Sequence, residues 1–202
     1  MLSFDFGKAA ARPPVIEHQG VRLRAAELGD YPAWSALRRA SRAHLTRWEP
    51  DWSDEEMTLD AFRLRLKSYD RQHRAGAGLA LYVFEAGGDT LVGGVTLTDI
   101  RLHASQSATI GYWIGETYLR RGFGLWAVEA ALRYGFGELR LNRIEAACQP
   151  GNAASRALLL KAGFVEEGFA RDYLYINGAW RDHLLFARTA RDYCGAPPQP
   201  KG

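Results

Sequence analysis

Arg120-Arg121-Gly122-Phe123-Gly124-Leu125 stands where the chain enters a helical pattern running to Phe136. Glycines let a backbone approach a ligand closely, and the first N–H groups of a helix have no intrahelical partner. With the helix dipole and two guanidinium groups beside them, those amides suit the oxygens of a phosphate or pyrophosphate. A strand-to-helix turn whose glycines serve only backbone geometry reads equally well from this segment alone. About thirty residues on, Pro150-x-Asn152-x-x-Ser155-x-x-Leu158 leads into Ala162-Gly163-Phe164. There Asn152 is placed to cap a helix and Ser155 sits in its first turn.

Gly122-x-Gly124-x-x-Ala127 also loosely satisfies a dinucleotide fingerprint. That motif belongs in a tight turn directly after a strand of a parallel βαβ repeat. Here helices and antiparallel-type strands precede it, and the polar bridge 116–121 separates strand from loop, so the dinucleotide reading is set aside.

The elements that must position these residues follow from pattern. Val21 to Arg24 alternates as a strand, and Asp30 with Pro32 opens a helix carrying Trp34, Leu37 and Leu45. Ser53-Asp54-Glu55-Glu56 has capping-box form ahead of Met57, Leu59, Phe62, Leu66 and Tyr69 at near-helical spacing. Strands are expected over 79–85, 91–102, 109–114, 141–148, 164–176 and 180–189, and helices over 122–136 and 152–161. Asn177-Gly178 is a strong hairpin signal between the last two strands. The order β-α-α-β-β-β-α-β-α-β-β implies one α/β (α+β) domain over residues 20–190, with a predominantly antiparallel mixed sheet and flanking helices. Residues 1–19 and the Pro-rich 191–202 read as tails.

The chain has 202 residues, and charged side chains interrupt every apolar stretch, so no membrane partner is expected. The N-terminus lacks the form of a signal peptide, and only Cys148 and Cys194 occur, giving neither a disulfide framework nor metal-ligand spacing. A cytoplasmic protein without a metal is the expectation. A formal charge of +3 is weak evidence about partners. The charges of Arg63, Arg65 and Lys67 interleave with an apolar helix stripe, so direct nucleic-acid binding is not expected.

The Ile110-Gly111-Tyr112-Trp113-Ile114 strand with Arg121-Gly122-x-Gly124 resembles the pyrophosphate loop of GNAT acetyltransferases, and the 150–164 segment is similar to that superfamily's second signature. Arg171 to His183 and Trp48-Glu49-Pro50 look like the RimJ-type branch, whose members acetylate ribosomal-protein N-termini. The resemblance covers roughly 20–190. It implies two splayed central strands, acetyl-CoA as donor, and a monomer or homodimer that takes a protein N-terminus, including those of ribosomal proteins, as acceptor. Carried over residue by residue, it assigns donor binding to Trp113, Ile114, Arg120, Arg121, Gly122, Phe123, Gly124, Leu125, Asn152 and Ser155. Leu119 departs from the Gln or Arg that the family often carries there.

Acetyl transfer requires a neutral amine, a polarised carbonyl, a stabilised oxyanion and a protonated thiolate. The resemblance assigns the thiolate to Ser155 and the carbonyl to backbone amides near Trp113 and Ile114. Many GNAT enzymes carry a carboxylate where this chain has Thr109, which leaves Glu116, Glu145, Glu49 and Asp99 as alternative bases; Glu116 and Glu145 enter the catalytic set with Ser155. About a tenth of an α-amine is neutral at pH 7, against about one lysine in a few thousand, so a weak base suits an N-terminus. Trp48, Glu49 and Tyr173 are expected at the acceptor. A small-amine acetyltransferase and a non-catalytic acyl-CoA-binding module are the alternatives.

Overall fold

The computed structural model describes residues 12–194. Eight strands form one sheet: β1 Ile16–His18, β2 Val21–Arg24, β3 Leu79–Glu85, β4 Leu91–Arg101, β5 Ser107–Ile114, β6 Arg143–Cys148, β7 Val165–Ile176 and β8 Ala179–Thr189. Their spatial order is β1-β2-β3-β4-β5-β6-β8-β7, and all neighbours are antiparallel except β5 with β6. The helices are α1 Tyr31–Ala40, α2 Arg42–Leu45, α3 Leu59–Arg74, α4 Phe123–Gly137, α5 Ala153–Lys161 and α6 Ala190–Cys194.

Two apolar clusters sandwich the sheet. One packs α4 and its neighbours against Val95, Ile110, Ile144, Cys148 and Phe186. The other gathers Trp34, Trp52, Met57, Phe62, Tyr82 and Phe84 beneath α1 and α3. Adjacent strand residues point to opposite faces, so Tyr112 packs with the first cluster and Trp113 with the second.

The parallel pair gives the fold its opening. β5 and β6 are in register only at Ser107 with Arg143, Ala108 with Ile144 and Thr109 with Glu145. Beyond Thr109 they diverge, while β5 stays paired to β4 through Ile114 and β6 to β8 through Cys148. The result is the expected splay: a wedge with its apex at Thr109 and its mouth between Ile114 and Cys148.

Local chemistry explains where the observed elements differ from the expected ones. Residues 16–18 of the expected tail form β1, because Ile16 and His18 pair with Leu23 and Val21. At the other end α6 occupies part of the second expected tail, and the rest of it, like residues 1–11, lies outside the described residues. The first helix breaks at buried Ser41, whose hydroxyl accepts the Glu116 N–H at 2.9 Å. Asp30 makes no side-chain cap; it grips Arg24 through both carboxylate oxygens, at 2.8 and 2.7 Å. The Ser53–Glu56 capping box forms, but around a short 3-10 turn, and Thr58 caps α3 by accepting from Ala61 N. Among the described residues no helix is long and apolar enough to cross a membrane, and no three His, Cys, Asp or Glu side chains gather as metal ligands.

Candidate active site

The wedge exposes backbone amides in a pattern that register dictates. The N–H of Gly115 donates to Val92 O at 2.9 Å, and in an antiparallel ladder bonded pairs recur every second residue. Trp113 therefore spends its amide on Gly94, its opposite number on β4. The amides of Ile110, Tyr112 and Ile114 point the other way, towards β6; Ile110 still lies at the Thr109–Glu145 bridge, and beyond it the strands have parted. The expected donor at Trp113 is corrected on this ground: Tyr112 and Ile114 carry the free N–H groups.

The glycine loop stands at the mouth. Gly122 caps α4 with φ +91°, and a Cβ there would lie 2.9 Å from the Trp126 ring. At Gly124 a Cβ would meet Leu158 at the same distance. The first intrahelical bond runs from Trp126 N to Gly122 O, so Phe123, Gly124 and Leu125 present their amides outward. Arg120, itself at φ +59°, is exposed beside them. Arg121 is engaged elsewhere: it pairs with Glu85 at 3.2 Å and lies over the Tyr118 and Phe123 rings. The cradle has room, free donors and one uncommitted cation, and so fits a pyrophosphate.

Across the wedge, α5 starts from Asn152, whose Oδ1 accepts the Ser155 N–H at 3.1 Å. This fixes Ser155 in the first turn, with its Oγ 2.8 Å from the Tyr112 hydroxyl. Burial pushes the Tyr112 phenol up to about 12, against the lowering effect of the Ser155 bond. Burial likewise pushes up the Cys148 thiol, which also touches Ser155. Kept as a thiol, Cys148 is a poor nucleophile. Tyr112 belongs to the site and was missed by residue type: a tyrosine within a run of β-formers reads as packing.

On the other face a strap, residues 46–52, crosses above the diverging half of β5. The Trp48 carbonyl accepts from Gln149 Nε2 at 3.4 Å, just beyond the end of β6, and its indole lies near Gly151. Glu49 pairs with Arg38 of α1 at 2.6 Å, and that guanidinium is sandwiched between Trp52, at 4.0 Å, and Trp113, at 5.0 Å. Asn177, at the tip of the β7–β8 hairpin, locks the strap. Its Nδ2 donates to Thr46 O and Glu49 O, and its Oδ1 accepts the Asp51 N–H at 2.7 Å.

The other expected residues lie apart from Ser155. Glu145 is bound by Arg143 at 2.8 Å, in a cluster with Glu167, and on β6 it faces away from Cys148. Glu116 is exposed in the 3-10 turn before the glycines, tied to Ser41 only through its backbone. Glu145 thus lies at the closed apex opposite Thr109, and Glu116 in the loop before the cradle, each away from Ser155. Tyr173 is 46% exposed and packs against the buried His183 ring, 5.3 Å between centroids, along the outer hairpin. Asp182 turns away from that histidine to accept the Asp172 N–H.

The wedge and the glycine cradle have a shape and donors that fit an acyl-CoA, and comparison places the chain in a family. Residues 21–165 match the family described as the acetyltransferase (GNAT) domain, and the chain belongs to it. It is an acetyl-CoA-dependent N-acetyltransferase. The chain is similar to the probable N-acetyltransferase YjcK of Bacillus subtilis, 32% identical over 86% of this chain and 96% of that protein. It is also similar to the [ribosomal protein uS5]-alanine N-acetyltransferase of Escherichia coli, 31% identical over 76% and 79% of the two chains. Among solved structures, Mycobacterium smegmatis RimJ in complex with CoA-disulfide superposes with a TM-score of 0.83 at 31% identity, covering 92% of this chain and 96% of that one.

Proposed function

We propose that this enzyme acetylates the α-amine of a protein N-terminus, with ribosomal proteins among its acceptors. The observation that carries the reading is the opposed arrangement of the wedge. Hydroxyls suited to a leaving thiolate lie on the α5 side, and an acidic, indole-lined strap lies on the other. The likeness to a uS5-alanine N-acetyltransferase over three quarters of the chain supports it.

Acetyl-CoA supplies an activated acetyl thioester. The amides of Phe123, Gly124 and Leu125, with Arg120, hold its pyrophosphate at the positive end of α4. The inward amides of Tyr112 and Ile114 orient and polarise the carbonyl. Ser155 donates a hydrogen bond to the sulfur as it departs. The acceptor enters from the opposite face, along the strap held by Asn177. An N-terminal amine, far closer to neutrality than a lysine, needs only modest help to lose its proton.

Thiol release from acetyl-CoA tests the reading across peptides beginning Ala, Ser or Met, against N-terminally blocked lysine peptides and polyamines. Turnover confined to free N-termini is expected. Release only with polyamines or blocked lysine peptides overturns the choice of acceptor, and no release despite tight acetyl-CoA binding overturns catalysis itself.

A further inference from the structure

We propose that Glu49 is the general base of the transfer, taking the proton from the incoming amine on the face of the sheet opposite Ser155. The inference deepens the reading of the wedge as the transfer site and rests on it.

Alternation along β5 sends Tyr112 to the α5 face and Trp113 to the α1 face. Tyr112 carries the contact to Ser155. Trp113 carries the contact to Arg38 and, through it, to Glu49. The two functional ends of the site thus hang from neighbouring residues of one strand, with the diverging strands between them. An amine that attacks a carbonyl held in that gap approaches one face of the carbonyl plane, and the face of the sheet that Ser155 and α5 leave open is the α1 face. The carboxylate that meets it must lie on the α1 face, over the open half of the wedge.

Glu49 meets this condition, and the other carboxylates do not. Asp99 is exposed at the β4 bulge beside the Thr98–Thr109 pair, where β5 and β6 are still joined. Glu145 shares the α1 face but sits at the closed apex of the wedge, opposite Thr109, and Glu116 stands in the exposed loop before the cradle. The strap is also anchored at several points, through Trp48 to Gln149 and through Thr46, Glu49 and Asp51 to Asn177, so its backbone is held rather than left to swing.

The groups facing Glu49 come from three helices: Arg38 of α1, Arg65 of α3 and His44 of α2. Burial pushes its carboxyl above the usual range, and the attraction of Arg38, Arg65 and His44 offsets part of that rise. A carboxylate made more basic by its surroundings is better suited to take a proton. The steps balance. Glu49 removes one proton from the ammonium, and the nitrogen lone pair forms the C–N bond to the acetyl carbon. The C–S bond breaks with its electron pair going to sulfur. The second nitrogen proton leaves as the amide forms, sulfur takes up one proton, and Glu49 returns its own to solvent. The net change is ammonium plus thioester giving amide, thiol and one proton.

The experiment compares wild type, Glu49→Gln and Glu49→Asp on whichever amine the wild type acetylates, from about pH 5.5 to 9. For Glu49→Gln we expect kcat about 100-fold or more lower, with the acetyl-CoA KM within about twofold of wild type. Its residual rate should climb about tenfold per pH unit until the amine's own pKa near ~8, because the amine must then lose its proton before it binds. A rise in acceptor KM with kcat and pH profile unchanged overturns the proposal and makes Glu49 a binding residue only. A wild-type rate in Glu49→Gln overturns it outright. If thermal melting shows Glu49→Gln misfolded, Glu49→Asp decides. It keeps the charge opposite Arg38 and withdraws the carboxylate by one methylene, so kcat must fall about tenfold or more, and an unchanged kcat overturns the proposal. Because the acceptor is whichever amine wild type uses, a wrong choice of N-termini as substrate shows in the wild-type panel and leaves this test intact.

Discussion

The Tyr112 hydroxyl and the Ser155 Oγ lie 2.8 Å apart and join β5 to the first turn of α5 across the wedge. Either hydroxyl can donate in this bond; the proposed transfer calls for Tyr112, whose phenol burial keeps protonated to about 12, to be the donor. Ser155 then has its own proton free for a third atom, which in the proposed transfer is the departing sulfur. In the proposed transfer Tyr112 acts through Ser155, as a positioning residue.

Ser155→Ala is expected to lower kcat about 10- to 100-fold while leaving acetyl-CoA affinity within about threefold, because it removes a hydrogen bond that strengthens as charge grows on sulfur. Tyr112→Phe keeps the ring and should cost about tenfold. The double variant should be no slower than Ser155→Ala, since the two groups act as one unit. Steady-state thiol release checks all three; additive losses would mean that the hydroxyls act independently.

The raised phenol also makes a stability prediction. Between the unfolded value near 10 and the folded value of about 12, the folded protein binds the extra proton, so stability falls as pH rises through that window. Burial pushes Tyr82 and Tyr134 in the same direction. Tyr112→Phe should therefore lose less stability than wild type between about pH 10 and 12, by up to about 2–3 kcal/mol. Urea midpoints at the two ends of the window measure it.

Strong local signals were legible in the sequence, and features set by long-range register were not. Alternation and turn chemistry placed β3 at 79–85 and the β7–β8 hairpin on Asn177-Gly178, where φ is +51° and +82°. Asn152 and the glycines of the cradle were legible because capping and close backbone approach demand particular residue types. The amide side of β5 depends on its register with β4, so the sequence pointed to Trp113 where the ladder frees Tyr112 and Ile114. Glu145 looked catalytic for its place beside the second signature, yet it sits at the closed apex of the wedge, opposite Thr109 and paired with Arg143. We expect Glu145→Gln to keep kcat within about twofold, since the side chain is half-exposed and held in a surface-type ion pair. A larger loss in thiol release would return it to the site.

Gly122 tests the cradle. Its φ of +91° and the 2.9 Å approach of a Cβ to Trp126 make Gly122→Ala strained in both backbone and packing. The strain is of order 1–3 kcal/mol, and it falls on the turn that aims the Phe123, Gly124 and Leu125 amides. Calorimetric titration with acetyl-CoA should show a Kd at least about tenfold weaker, with a lowered melting temperature. Unchanged affinity would place the pyrophosphate elsewhere.

Asn177 separates the turn from the strap it holds. At φ +51° asparagine is tolerated and glycine is at ease, so Asn177→Gly preserves the hairpin and deletes the bonds to Thr46 O, Glu49 O and Asp51 N. Each such bond contributes about 0.5–1.5 kcal/mol net, and without them the strap bearing Trp48 and Glu49 keeps its anchors at Arg38, at Gln149 and, through Asp51 and Trp52, at Arg42. The acceptor side should loosen while the cradle, on the far face of the sheet, stays intact. We therefore expect the acceptor KM to rise about five- to tenfold with the acetyl-CoA KM unchanged. Asn177→Ala, which adds backbone strain at the same position, should lower the melting temperature further for the same kinetic effect. If both KM values rose together, the hairpin would be supporting the whole domain, and the strap would lose its standing as the acceptor wall.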